Sequence, residues 1–186
     1  WPLDEGLIDY VAPSYGAESD LNGLYAANVI ASDTLDVNGE SLDLAEITPA
    51  LLQNELQEAG GVEANVATGY HAIEFLLWGQ DLSLETPGTR PASDYADTPE
   101  NARRRAYLKV VTELLVDDLQ YLVNAWTPNQ DNYAKTFTAD KDALSKIMTA
   151  LATLSGFELA SERMATALDS GDQEDEHSCF SDNTHN

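Results

Sequence analysis

The chain has 186 residues, of which 43% are apolar, and this composition excludes a disordered polypeptide and suits one domain with a hydrophobic core. No run approaches the roughly 20 apolar residues that a membrane-spanning helix needs. Asp and Glu number 33 against 9 Lys and Arg, and the formal net charge of -24 predicts repulsion from nucleic acid and from anionic membranes. We interpret most of this charge as a salt-adapted surface, with which a cation-handling role is compatible.

The first segments carry weak signals. Pro13 and Gly16 mark a turn, and residues 20–32 predict a short helix. Residues 33–47 contain an Asn-Gly pair and an apolar alternation at Leu42 and Leu44. A small hairpin is the alternative there, but we predict a loop and no sheet anywhere in the chain.

Two helices are predicted in the centre of the chain. Thr48 can cap the first, Pro49 suits its first position and Gly60 ends it. Residues 62–78 place apolar side chains at three- and four-residue steps, which predicts a second helix that ends at Gly79.

The second half of the chain contains the two longest predicted helices. After a loop over residues 81–100, the first begins at Thr98-Pro99 and stops at Pro128, with an apolar stripe wide enough to pack on two neighbours. The other runs over residues 140–170, and its apolar seam meets a carboxylate at Glu158. The pattern predicts an all-α protein, a bundle of four to six helices.

The central chemical candidate is the pair His71 and Glu74. Residues three apart share a helix face, and imidazole nitrogen and carboxylate oxygen are good ligands for zinc and iron. Gly69, one turn earlier, would let another segment come close. The alternative is a hydrogen-bonded pair with Glu74 bound to an arginine of another helix, and spacing alone favours that alternative.

Further ligands come from more distant segments. Glu158 can supply a third donor, or form a salt bridge to Arg163 or to one of the arginines 103–105. Near the end of the chain, Glu176 and His177 can fold over a metal, although acidic runs are usually solvated tails. The single cysteine, Cys179, allows no disulfide within the chain and can pair with a cysteine outside it.

Three blocks resemble the imelysin family. "GYHAIEFLLWGQD" resembles its GxHxxE signature, "WPLDEGLIDYV" its upstream WP segment, and "LSGFELASERMATALDSGDQEDEHSCFSDNTH" its downstream segment. The blocks follow the family's order and span nearly the whole chain. The subgroup that the chain resembles most is the iron-regulated imelysin-like proteins.

The resemblance implies an all-α fold with two bundle-like halves and a site around Gly69, His71 and Glu74. The downstream block contributes Glu158, Arg163, Glu176 and His177. Since the family domain is normally longer, we expect residues 1–186 to be one domain that is incomplete at both ends.

The resemblance also implies a function. The expected protein is extracytoplasmic, periplasmic or membrane-anchored, binds a metal ion, iron before zinc, and serves iron uptake with a membrane component as partner. The alternative is a metal-dependent peptidase, although the chain lacks the HExxH arrangement that places two ligands and a base on one helix.

Overall fold

The computed structural model of the chain describes residues 5–9, 28–61, 65–79, 86, 88–165, 168–169 and 171. These residues are mostly helical, and among them the sheet structure is limited to one pair of strands. The predicted all-α class is therefore confirmed, with a small addition. The contacts divide the chain into two compact units, one with the described residues up to Leu115 and one with those from Val116 onward.

Unit 1 contains helices, one hairpin and several single turns. In chain order they are α1 (Glu5–Ile8), β1 (Thr34–Val37), β2 (Glu40–Asp43), a π-helical turn (Leu51–Leu56), a 3-10 turn (Ala59–Gly61), α2 (Gly69–Trp78), two 3-10 turns (Ala92–Tyr95 and Pro99–Asn101) and the first half of α3 (Ala102–Trp126).

The hairpin corrects the prediction of a loop over residues 33–47. Strands β1 and β2 pair antiparallel, with Leu35 opposite Leu42. The turn residues Asn38 and Gly39 both have positive φ, 52° and 85°. Two such residues form the tight turn that fits the twist of a hairpin, and an Asn-Gly pair is its usual sequence. Leu35 and Leu44 are buried, so the hairpin contributes to the core of unit 1.

Two helix predictions are confirmed only in part, or not at all, within the described residues. The predicted helix at residues 62–78 begins only at Gly69; residues 65–67 are not helical, and 62–64 lie outside the described residues. Asn65 is buried, and its side-chain amide donates to the Ala59 carbonyl at 2.7 Å. In the short helix predicted at residues 20–32, the described part is a turn with Asn28 at a φ of 47°. The predicted turn at Pro13 and Gly16 lies outside the described residues.

The helix predicted from Thr48 to Gly60 starts as expected and ends early. The Thr48 hydroxyl accepts a hydrogen bond from the Leu51 amide at 3.1 Å, as a capping residue does. The helical turns stop at Leu56, since Gln57 has an extended conformation. Gly60, at a φ of 71°, lies in the following 3-10 turn.

The core of unit 1 is formed by buried residues from several of its elements. From α3 it receives Tyr107, Val111 and Leu114, three residues of the predicted apolar stripe. The other buried apolar residues are Leu7, Ile8, Val29, Ile30, Leu35, Leu44, Leu51, Leu52, Leu56, Ala59, Ala67, Ala72, Phe75 and Leu76. This core holds α2, the helix of the candidate site.

Unit 2 holds the second half of α3, α4 (Tyr133–Ala139), α5 (Ala143–Thr153) and a π-helical continuation (Leu154–Ala165). The helix predicted at residues 140–170 is thus confirmed over 143–165, while α4 was not predicted. Leu144 and Leu151 on the predicted seam, and Leu154 beside it, are exposed among the described residues. The apolar seam over residues 140–170 thus correctly predicted a helix. The described leucine side chains of that seam are exposed, and not packed in a core as the pattern had predicted they would be. None of the described helices combines the length and the apolar character needed to cross a bilayer.

Tyr107 gives a pH prediction for unit 1. Its side chain is fully buried, and burial raises the pKa of its hydroxyl above the ordinary 10.0. The folded form therefore keeps a proton that the unfolded chain loses, so stability is intact below about pH 10 and falls as the pH rises above it. We expect Tyr107→Phe to weaken this alkaline loss, whereas Tyr121→Phe, at an exposed position, leaves it unchanged. Urea unfolding at pH 8 and pH 11 measures this loss of stability. An identical pH dependence in Tyr107→Phe and in the parent chain would refute the prediction.

Candidate metal site

The backbone that leads into α2 is held from two sides. The Gln57 side-chain oxygen accepts hydrogen bonds from the amides of Ala67 and Thr68 at 2.9 and 3.2 Å. The buried Tyr107 hydroxyl donates to the Ala67 carbonyl at 2.9 Å. These bonds fix the point at which α2 starts on the core.

Gly69 turns the chain from this extended segment into the helix. Its φ is 91°, a conformation that glycine adopts readily and other residues rarely adopt. No described atom lies within 4 Å of the position that a Cβ would take. Among the described residues no neighbouring segment comes close at Gly69, and the backbone conformation is what requires glycine there.

Two glycine replacements should act in opposite directions. Gly69→Ala forces a side chain into a positive-φ position and should destabilise unit 1 by about 1–2 kcal/mol. Gly156→Ala is the control, because Gly156 lies inside a helical segment with open space around it. That substitution should stabilise the chain by about 0.5–1 kcal/mol. Urea unfolding of both variants checks the signs, and a stabilising Gly69→Ala would contradict the conformational argument.

The two sides of α2 differ in burial and chemistry. Ala72, Phe75 and Leu76 are buried in the core. On the other side, His71 Nδ1 lies 3.2 Å from Glu74 Oε2, and the side chains are 45% and 17% exposed. The predicted placement of His71 and Glu74 on one face is observed, and the two side chains are in direct contact.

The end of α2 is fixed by close backbone contacts. Gly79 has a φ of 76°, and its amide donates to the Phe75 carbonyl at 2.7 Å. The Arg90 amide donates to the Trp78 carbonyl at 2.8 Å. A Cβ on Gly88 would stand only 2.7 Å from the same carbonyl oxygen, so the returning segment needs glycine there.

A buried charge cluster beside α2 was missed from the sequence. Asp9 binds Arg90 at 2.9 Å and receives two hydrogen bonds from Arg104, at 3.0 and 3.2 Å. The Arg90 guanidinium also lies over the Phe75 ring, 5.7 Å from its centroid. The cluster joins α1, α3 and the segment after α2. The only sequence signal is that basic residues are scarce in this acidic chain, so each one is conspicuous.

Tyr95 forms a further hydrogen bond at the same end of α2. Its hydroxyl donates to the Leu76 carbonyl. Burial raises the pKa of Tyr95, and the charges of Arg90 and Arg104 oppose that rise. The tyrosine therefore stays a hydrogen-bond donor at neutral pH.

The remaining predicted site residues belong to the other unit or lie outside the described structure. Glu158 is exposed and belongs to unit 2, whereas His71 and Glu74 belong to unit 1. Arg163 lies in the segment Leu154–Ala165, and its side chain is outside the described structure. Glu176, His177 and Cys179 also lie outside it. Across the residues that the structure does describe, no group of three or more His, Cys, Asp or Glu side chains can hold a metal ion.

The arginines proposed as alternative partners of Glu158 have partners within unit 1. Arg103 donates to the carbonyls of Val29 and Ser32, both at 2.8 Å. Arg104 binds Asp9, and Arg105 binds Asp97 at 3.0 Å. The first turns of α3 thus anchor the loops around the core.

These features define a mostly helical protein that carries a histidine and a glutamate in contact on one helix. The family model of imelysin, Peptidase_M75, matches residues 1–186, the whole chain. The chain therefore belongs to the imelysin family, a peptidase family by designation, and the resemblance drawn from the sequence is confirmed. Among curated proteins, no relative matches the chain.

Proposed function

We propose that this imelysin-family chain binds a metal ion through His71 and Glu74. The supporting observation is the contact of 3.2 Å between His71 Nδ1 and Glu74 Oε2 on the exposed side of a helix whose other side is fixed in the core. An imidazole and a carboxylate form a donor set of borderline to hard character, which suits iron and zinc.

The geometry of the pair fits a metal site. Two ligand atoms about 2.1 Å from one ion and about 100° apart are separated by about 3.2 Å, the distance observed here. Two donors are too few for a complete coordination sphere. We propose that Glu158, Glu176 and His177 complete it, with Gly69 and Arg163 in support.

The proposed role is iron uptake outside the cytoplasm, in the periplasm or at a membrane anchor, with a membrane component of the uptake system as partner. The net charge of -24 supports it, since such a surface concentrates cations around the chain. The role also rests on the family, and iron is the proposed metal with zinc as the second choice.

Calorimetric titration with anaerobic Fe²⁺ and with Zn²⁺ tests this proposal. We expect a saturable site that the double variant His71→Ala, Glu74→Ala loses. The control is Lys109→Ala, Glu113→Ala, which removes an exposed pair on α3 whose atoms are 3.8 Å apart. If the His71, Glu74 double variant binds metal as tightly as the parent chain, the acidic surface binds the ion and the proposal fails.

The family designation favours a second candidate, a metal-dependent peptidase. A peptidase needs a base for the attacking water. Glu74 contacts His71, so we propose Glu158 or Glu176 as the source of that carboxylate. Cleavage of an unfolded protein that stops with a chelator and in Glu74→Gln would support this candidate, and metal binding without any cleavage would leave the uptake role.

A further inference from the structure

We propose that Asn38 is a site of spontaneous deamidation, and that the hairpin of β1 and β2 protects it for as long as the hairpin stays closed. The reaction uses only the chain and water, so the proposal is independent of His71 and Glu74. The modification marks chains in which the hairpin has opened, because one of its two products cannot rebuild the same turn.

The chemistry follows from the sequence Asn38-Gly39. Asparagine is thermolabile because the backbone nitrogen of the next residue can attack the carbon of its side-chain amide. Glycine places no side chain beside that nitrogen, and both residues are exposed, with no described atom within 4 Å of the Cβ position of Gly39. The new C–N bond closes a succinimide ring, while the attacking nitrogen gives up its proton and the side-chain nitrogen leaves as ammonia.

Water then opens the succinimide ring, and nothing is oxidised or reduced. If the bond between the ring nitrogen and the former side-chain carbon breaks, the product is aspartate in an unchanged backbone. If the bond from that nitrogen to the backbone carbonyl carbon breaks, the product is isoaspartate. The backbone of isoaspartate runs through the former side chain and contains one additional carbon.

The closed hairpin holds the two reacting atoms apart. Val37 pairs with Glu40, so the loop has two residues, and both have positive φ, 52° and 85°. Such a loop is a type I′ turn, the mirror image of type I, and its first residue therefore has a small positive ψ. At that ψ the Asn38 Cβ lies on the opposite side of the Cα–C bond from the Gly39 nitrogen, whereas ring closure needs both on the same side.

Contacts with other segments keep this turn in place. Nδ2 and Oδ1 of Asn38 lie 3.5 and 3.8 Å from the position that a Cβ on Gly60 would take, in the turn Ala59–Gly61. On β1, Leu35 is buried in the core of unit 1, opposite the half-buried Leu42. Ring closure therefore requires the turn to open, and an opening that costs about 1.4 kcal/mol already slows the reaction about 10-fold.

The two products differ in their effect on the hairpin. Asp-Gly fits a type I′ turn as Asn-Gly does, so aspartate at position 38 keeps the hairpin. Isoaspartate lengthens the backbone of a two-residue loop, which disturbs the pairing of Val37 with Glu40 and of Leu35 with Leu42. A chain with isoaspartate at position 38 therefore loses part of the burial of Leu35 in unit 1.

Deamidation rates of the full chain in buffer and in urea that unfolds it, both at pH 8, test the protection. Tandem mass spectrometry measures the conversion at each asparagine. The second Asn-Gly pair, Asn22-Gly23, lies outside the described residues and is the reference in urea. We expect both pairs to react at similar rates in urea, and Asn38 to react at least about 10-fold more slowly in buffer. Equal rates for Asn38 in buffer and urea, or no conversion of Asn38 in urea, would overturn the proposal.

Variants of the hairpin link the rate to its opening. Leu35→Ala leaves a cavity under β1 and should raise the Asn38 rate in buffer by about 10-fold or more. Leu42→Ala, at the half-buried position opposite, is the milder variant and should raise it less. Ser41→Ala, at an exposed position of β2, is the control and should leave the rate unchanged. An Asn38 rate that is the same in all three variants and the parent chain would contradict protection by the hairpin.

The effect of isoaspartate on the fold is measured after refolding. The parent chain and Asn38→Gly are aged in urea at pH 8, returned to buffer and unfolded again by urea titration. Gly-Gly suits the same turn and cannot deamidate, and both chains contain Asn22, so the comparison isolates position 38. We expect the aged parent chain to unfold at lower urea than aged Asn38→Gly. Equal midpoints, with isoaspartate confirmed at position 38, would overturn the proposed effect on the turn.

Discussion

Asp9→Ala should lower the free energy of unfolding of unit 1 by about 3–5 kcal/mol, because removing one partner of a buried ion pair leaves the other charge uncompensated. Here the carboxylate, 4% exposed, is shared by Arg90 and Arg104, which are 9% and 15% exposed. Both guanidinium groups would lose their closest anion.

The control for this prediction is Asp33→Ala. Asp33 pairs with Arg103 at 3.4 Å but is 84% exposed, and such surface pairs contribute about 0–1 kcal/mol. Urea unfolding followed by circular dichroism measures both variants. Equal losses of unfolding free energy in the two variants would show that the buried cluster stabilises unit 1 no more than a surface ion pair does.

Phe75→Ala should lower the free energy of unfolding of unit 1 by a similar amount. Phe75 is fully buried on the inner side of α2, and large-to-small changes of a buried aromatic cost about 3–5 kcal/mol. The ring also carries the Arg90 guanidinium on its face, so its removal loosens the segment that returns past the end of α2.

Tyr70→Ala is the matched control on the same helix. Tyr70 is 65% exposed, and replacing it should change stability by less than about 0.5 kcal/mol. Urea unfolding of the two variants under one set of conditions makes the comparison. A loss in Tyr70→Ala equal to that in Phe75→Ala would mean that α2 does not face the core as described.

Local sequence signals correctly predicted the helices that have a clear start signal or a regular apolar seam. The Thr98-Pro99 start leads directly into α3, and the apolar seam after residue 140 became α5 and its continuation. By contrast, the start of α2 depends on a hydrogen bond from Tyr107, 40 residues away in the sequence. Such long-range bonds override the apolar pattern, which is why residues 65–67 are not helical.

The candidate site likewise has one contact that the sequence predicts and a nearby cluster that it does not. The contact between His71 and Glu74 follows from their spacing on one helix, and it was predictable. The cluster at Asp9 was not, because its hydrogen bonds to Arg104 span 95 residues. The Asn-Gly turn was visible in the sequence, where a hairpin was the alternative to the predicted loop.

Anomalous scattering from crystals of the complete chain, grown with Zn²⁺ and with anaerobic Fe²⁺, tests the central claim most directly. Data on both sides of each metal edge locate the ion and identify it. We predict an anomalous peak about 2.0–2.2 Å from a ring nitrogen of His71 and from a carboxylate oxygen of Glu74. A saturated crystal with metal only on the acidic surface, and none at His71, would contradict the proposed metal site.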